Sequence, residues 1–242
     1  MEWTDSAIVM NVRPHGENNA VLEVFTRGHG RYLGLVRGGR SRKFRPALQT
    51  GNLLAVEWRA RLSEQLGYFL VELEKPYASG VFDDRLALSA LGSLATLASL
   101  MAERDPHPAL FDIAKLFLDH LDDVSIWPQL LVRWELRLLA ELGVGLDLTQ
   151  CAATGAKENL VYVSPKSARA VSAEAGKPYR DRLLRLPDFL CSASVQKAET
   201  GDIIDGFALT GHFLETNVFH QRNQPLPNSR QDFLRLLEKT LH

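Results

Sequence analysis

Five short β-rich runs, each closed by a turn, fill the first 75 residues, and this alternation restricts the start of the chain to a small closed or nearly closed barrel. The runs cover 7–12, 21–25, 31–36, 53–58 and 68–73. Turn chemistry separates them: His15-Gly-Glu-Asn-Asn19, Gly28-His-Gly30 and Gly38-Gly39 supply left-handed or tight backbone positions. An OB-fold and an SH3-like barrel both satisfy five such strands, and periodicity does not separate them.

The texture changes after Pro76. Asp83 or Asp84 is placed to cap a helix running to about residue 103, and Leu86, Leu88, Leu91, Leu94, Leu97, Leu100 and Met101 surround most of it, as on a helix buried on several sides. Asp105-Pro-His-Pro108 breaks that helix. A second is expected over 109–121. A third over 129–142 starts after Pro128 and stops at Gly143. Residues 151–190 read as irregular, rich in Gly, Pro, Ser and charge. Helix returns over about 202–219, and Asn228 or Ser229 caps a last one. The expected fold class is α+β and multi-domain: a five-stranded barrel over 1–78, then a helical domain over 79–242 with 151–190 as an irregular inset.

The formal net charge of −1 does not mark a nucleic-acid binder, but its distribution does. No Asp or Glu occurs between Val24 and Val56, while that window holds Arg27, Arg31, Arg37, Arg40, Arg42, Lys43 and Arg45, with His29. The densest part, Arg37-Gly-Gly-Arg-Ser-Arg-Lys-Phe-Arg45, is a glycine-containing loop between two strands. Contact with a phosphate backbone needs several cations on a surface able to follow it, and glycines let the main chain approach with its N–H groups. Arginine suits planar phosphate and base contacts better than lysine. Phe44 lies within the run, either to stack on a base or to anchor the loop to the barrel. The alternative for the cations is a solvated loop paired with acids elsewhere. Seven cations on single-stranded phosphates imply a slope of log affinity against log salt of roughly −5.

Cys151 and Cys191 are too few for a disulfide framework, so a reducing cytoplasm is expected. The N-terminus shows no basic segment followed by an apolar stretch, and residues 86–102 carry too many Ser and Thr for a membrane span. No membrane partner is expected.

Several segments, in order along the whole chain, resemble the RecO recombinational-repair family. They are Ser6-Ala-Ile-Val-Met-Asn-Val12 followed by Gly16-Glu17-Asn18; Val24-Phe25-Thr26 leading to Gly30-Arg31; Val36-Arg37-Gly38-Gly39; and Arg133-Trp-Glu-Leu-Arg-Leu-Leu-Ala-Glu-Leu-Gly143. Leu146-Asp-Leu-Thr-Gln-Cys151, Val161-Tyr-Val-Ser-Pro165 and Pro227-Asn-Ser229-Arg230 complete the set. The resemblance implies an N-terminal OB-fold, a C-terminal helical domain and no turnover of a small substrate. It further implies binding of single- and double-stranded DNA, annealing of complementary strands, and recombinase loading with RecR on strands coated by single-strand-binding protein. A nucleoid-associated location in the cytoplasm follows. The DNA-binding residues are then Arg27, Arg31, Arg37, Arg40, Arg42, Lys43, Phe44 and Arg45. Arg133, on the family-like helix, is the expected anchor for the acidic C-terminal tail of single-strand-binding protein; otherwise it is a surface arginine.

Many members of that family carry two Cys-x-x-Cys pairs for zinc. Here the first pair reads Cys151-Ala-Ala-Thr154 and the second falls near Ser172-Ala-Glu-Ala175. Structural zinc wants four N or S ligands, and one thiolate remains. The segment is therefore a degenerate zinc-finger-like connector, and neither zinc nor any other cofactor is expected. Cys151 reads as a small buried hydrophobe.

Enzyme readings fail on residue pattern. There is no Gly-x-Ser-x-Gly, and Ser93 sits inside an apolar helix. Gly34 to Gly39 precede Arg40 and Ser41 without the lysine of a phosphate-binding loop. Asp83-Asp84 and Asp122-Asp123 fit helix ends better than a nuclease metal site. Two other classes remain beside the DNA mediator: an OB-fold RNA-binding protein and a protein-interaction adaptor without nucleic acid.

Overall fold

The computed structural model describes residues 1–62, 64–192 and 197–241. Contacts divide the chain into two compact units, Met1–Asp122 with Pro227–Leu237, and Asp123–Leu226 with Glu238–His242. The barrel's last strand ends at Lys75, close to the expected boundary at 78, but the compact unit that holds the barrel runs on to Asp122.

In the first unit, β1 (Glu2–His15), β2 (Asn19–Thr26), β3 (Gly30–Val36), β4 (Leu53–Arg59) and β5 (Tyr68–Lys75) form a closed barrel in the order β1-β2-β3-β5-β4. All pairings are antiparallel except β3–β5, which run parallel with Leu35 opposite Tyr68. That order is the OB-fold arrangement and decides between the two barrels left open by the sequence. Closure depends on the length of β1. Its first half, Glu2 to Ile8, pairs with β4, and its second half, Ala7 to His15, pairs with β2. A bulge between Val9 and Asn11 lets one strand turn from one partner to the other, and Gly51 and Asn52 fill it through Gly51 N–H to Val9 O (2.8 Å) and Val9 N–H to Asn52 O (2.9 Å).

Alternation along each strand builds the barrel core from Ala7, Val9, Leu22, Val24, Tyr32, Leu54, Val56, Trp58 and Phe69. Each large side chain buried there contributes about 1.5–3 kcal/mol. Trp3 closes one end, stacked on His29 at 4.0 Å and packed against Trp58, while Asp5 accepts from His29 Nδ1 at 3.0 Å.

A short turn of helix, α1 (Tyr77–Gly80), follows the barrel. Asp84 then caps α2 (Arg85–Ala98), its carboxylate accepting from the N–H groups of Leu86 and Ala87. The helix expected to reach residue 103 ends at Ala98. The Ser99 hydroxyl donates to Thr96 O, Met101 is buried beyond the helix, and Arg104 takes a positive φ. The leucine periodicity runs past the true end because Met101 is buried without being helical. Next comes α3 (Pro108–Asp119), with Pro108 in its first turn. At its C-terminal end, Asp119 accepts from Lys75, Lys115 and the Tyr77 hydroxyl. Its own desolvation works the other way, but these three donors hold the carboxyl well below the usual range.

In the second unit, α4 (Trp127–Glu141) packs on α7 (Thr200–Phe213). Between them the stretch expected to be irregular is ordered. β6 (Leu160–Val163), β7 (Ala170–Ser172) and β8 (Leu184–Arg185) form a three-stranded sheet in the order β7-β6-β8, with short helices α5 (Ala173–Gly176) and α6 (Asp188–Cys191). Strands of two to four residues carry too little periodicity to be read from sequence. Beyond α7 the helix does not continue regularly to Phe219: the backbone widens into a π-helical turn over Leu214–Phe219. The last helix, α8, spans Asn228–Leu241, and its residues up to Leu237 belong to the first unit. Among the described residues no helix is long and apolar enough to cross a membrane.

Candidate nucleic-acid interface

The acid-free window runs from the end of β2 through β3 and the long β3–β4 loop into β4, and the loop is built from its apolar residues outward. Leu48 is buried, and Phe44 and Ala47 pack against the barrel core. Phe44 is therefore held as an anchor: it is half-buried, with Lys43 Nζ 5.6 Å from its ring centre. Turns close over it through Phe44 N–H and Arg45 N–H to Ser41 O, and Leu48 N–H to Phe44 O. The buried Asn52 side chain donates to the carbonyls of Pro46 and Ala47 and accepts from Ala78 N–H. The other end of the loop is tied to the β1–β2 turn. Arg40 N–H donates to Asn18 O, Gly38 N–H to Asn19 Oδ1, and Arg40 Nη1 to the carbonyls of Gly16 and Glu17, each at 2.9 Å.

This scaffold sorts the seven cations. Arg37, Arg40, Arg42, Lys43 and Arg45 are exposed on the one loop, and among the described residues none of the five forms an ion pair. Arg27 and Arg31 are engaged elsewhere. Arg27 makes a two-pronged pair with Asp112 at 2.9 and 3.0 Å, and that hydrogen-bonded carboxylate holds its charge in place. Arg31 reaches Glu23 at 2.6 Å, Met101 O at 3.0 Å and Glu103 at 3.5 Å. With Phe25 edge-on to Phe111, these contacts cover the outer face of β2 and β3 at the Arg27–Arg31 end.

The outer face of β1, β4 and β5 has the opposite sign. Thr4, Asp5, Glu57, Leu70, Glu72 and Glu74 line a shallow groove of about 460 Å³. Arg59 lies at its border, paired with Glu57 and, at 3.4 Å, with Glu2. The β3–β4 loop is thus cationic and the β4–β5 face beside it acidic. One residue at this border carries more than its strand-forming sequence signals. Tyr68 sits outward at the first position of β5, since Phe69 takes the inward place, and Arg37 Cζ lies 5.0 Å from its ring centre. The signal was the parity of an aromatic pair at a strand start.

Arg133, in the second unit, donates through Nη2 to the carbonyls of Phe189 (2.7 Å) and Ser192 (2.9 Å), and burial lowers its pKa. It pins the end of α6. Cys151 is buried, and its sulfur accepts from Ser172 N–H at 3.3 Å. Burial alone pushes the thiol up, but hydrogen bonds from Ser172, Thr154 and the Ala153 backbone outweigh it and bring it to about 6. Residues 151, 154 and 172 lie together, but they offer one sulfur and two hydroxyls, and Ala175 offers nothing. That donor set does not suit structural zinc. Among the described residues no group of three or more His, Cys, Asp or Glu is placed to hold a metal ion. Ser93 is fully buried, and Asp123 accepts from Ser125 N–H and Oγ in a local turn.

Comparison with known proteins covers the whole chain. The family model described as recombination protein O N terminal matches residues 1–77, and that described as recombination protein O C terminal matches residues 83–225. The DNA repair protein RecO of Methylorubrum populi is 52% identical over 241 residues, 98% of each chain. That of Rhodospirillum centenum is 50% identical over 237 residues, 97% of this chain and 94% of its own. That of Rhodopseudomonas palustris is 48% identical over 247 residues, 100% of this chain and 98% of its own.

Proposed function

The chain belongs to the recombination protein O family, and from that premise we propose that it is a DNA-binding mediator of recombinational repair that acts without covalent chemistry. The observation that carries this reading is the sorting of charge on the barrel: five exposed cations gathered on one loop, with an acidic face beside it. Two complementary strands repel each other. A basic surface screens that repulsion and lets base pairing nucleate, and no nucleophile is needed. Single- and double-stranded DNA are the proposed ligands. RecR and the acidic tail of single-strand-binding protein are the proposed protein partners. A tail docking at Arg133 competes with the Phe189 and Ser192 carbonyls for the same guanidinium, so Arg133 acts on it by holding the end of α6 in place.

The test is fluorescence anisotropy on labelled single-stranded DNA, with an RNA of equal length as competitor, followed by an annealing assay at rising salt. DNA binding and annealing that both fall steeply with salt support the reading. RNA displacing the DNA at lower concentration points instead to an RNA-binding protein, because the 2′-OH is the handle that separates them. Annealing unchanged at high salt removes the electrostatic mechanism.

The donor set around Cys151 gives a separate expected outcome. We propose that the 151–176 segment folds without zinc, so the purified protein contains far less than one equivalent of zinc by elemental analysis. Chelator then leaves its melting temperature unchanged. A stoichiometric metal whose removal lowers the melting temperature contradicts this.

A further inference from the structure

The β3–β4 loop explains attraction to phosphate but offers no free aromatic ring to a base, because Phe44 is turned onto the barrel core. We propose that Arg37 and Tyr68 form a preassembled stacking platform, on which the Arg37 guanidinium plane receives a nucleobase while Tyr68 backs it from below. This rests on the nucleic-acid reading given above and adds to it the residues that meet a base.

The two side chains come from strands brought together only by barrel closure: Arg37 directly follows β3, and Tyr68 opens β5, where Leu35 and Tyr68 are partners in the parallel pair. Arg37 is exposed and Tyr68 half-buried, with the guanidinium carbon 5.0 Å from the ring centre. A guanidinium resting on an aromatic face keeps its charge and presents its other flat side outward. Bases in single strands stack on arginine guanidinium planes as well as on aromatic rings. Arg37 is also the first cation of the loop, so a strand whose phosphates follow Arg40 to Arg45 brings its next base to this point. Beyond Tyr68 lie Glu57, Leu70 and Glu72, where the acidic face turns the backbone away. Arg59, opposite Tyr68 on β4, pairs with Glu57 and also reaches the Tyr68 hydroxyl, while Arg37 is the cation over the ring.

The pair predicts a contact that depends on bases, not on charge. The experiment measures binding of the full chain to a single-stranded DNA of about 16 nucleotides and to an abasic strand of equal length, which keeps the phosphates. Arg37→Lys retains the charge and loses the plane. It is expected to weaken binding of the base-bearing strand about five-fold or more, with the salt slope and the abasic affinity unchanged. Tyr68→Ala follows the same pattern, and Tyr68→Phe keeps wild-type affinity. Arg37→Lys that binds both strands as the wild type does overturns the platform, as does an equal loss on both strands. Because Arg37 is exposed, its lysine variant reports even where Tyr68→Ala fails to fold. A wild-type chain that binds neither strand overturns the nucleic-acid reading itself, which separates the two failures.

Discussion

Replacing Arg42, Lys43 and Arg45 together by alanine is expected to flatten the salt dependence of single-stranded DNA binding and to lower affinity about 100-fold at about 0.1 M salt. The five exposed cations of the loop, at about 0.7 per phosphate contact, give a wild-type slope of about −3.5; removing three leaves about −1.4. This is shallower than the slope of roughly −5 for all seven cations of the window, because Arg27 and Arg31 already hold Asp112, Glu23 and Glu103. Arg40 is left in place in this variant, since its guanidinium also bonds to Gly16 and Glu17. The three removed side chains are exposed and make no ion pair among the described residues, so the melting temperature is expected to change little. Arg27→Ala is the control and leaves the slope as it was. A wild-type slope near −5 shows that Arg27 and Arg31 also meet phosphate, and a triple variant that binds normally shows that the loop does not carry the binding.

Gly30→Ala is expected to be the most destabilising single-methyl change in the barrel. Gly30 has φ +70°, which an L side chain adopts at a cost of about 1–2 kcal/mol. A Cβ there falls 1.9 Å from the carbonyl oxygen of Asp105, a backbone atom that moves only if the chain after α2 moves. The turn has no slack to absorb this: the Thr26 hydroxyl donates to Gly30 O, His29 N–H donates to Thr26 Oγ1, and Arg104 N–H bonds to Arg31 O at 2.8 Å. The sum is about 3 kcal/mol or more, read as a melting temperature lower by about 6–12 °C in a chain of this size. Gly16→Ala is the comparison. It has φ +60° but nothing within 4 Å of its Cβ, so only the backbone cost remains. If both variants melt alike, the Asp105 backbone does not lie against the turn.

What could be read from sequence follows the range of the forces involved. All five barrel strands are visible because alternation and turn residues are local, and so is the Asp84 cap. Strand ends are less visible: β1 extends five residues before Ala7 through mostly polar positions whose pairing with β4 depends on residues 53–59. The choice of barrel lies in the Leu35–Tyr68 pairing, a parallel contact between distant strands that no periodicity encodes. The same applies to the interface. The cationic window is plain in the sequence, but which cations stay exposed is set by Asp112, 85 positions beyond Arg27, and by Glu103. Phe44 and Tyr68 exchange the parts their neighbourhoods suggest: the aromatic within the basic run points inward, and the one that opens a strand faces out beneath Arg37.

Asn52 gives the barrel a mechanical property. Its single carboxamide grips the Pro46 and Ala47 carbonyls with one end and the Ala78 amide with the other. Tension on the far side of the loop is therefore transmitted, across one rigid side chain, to the point where the chain leaves the barrel. The Ala78 amide proton becomes a remote gauge of that tension, and its exchange rate with solvent slows or quickens with whatever tightens or loosens residues 46 and 47.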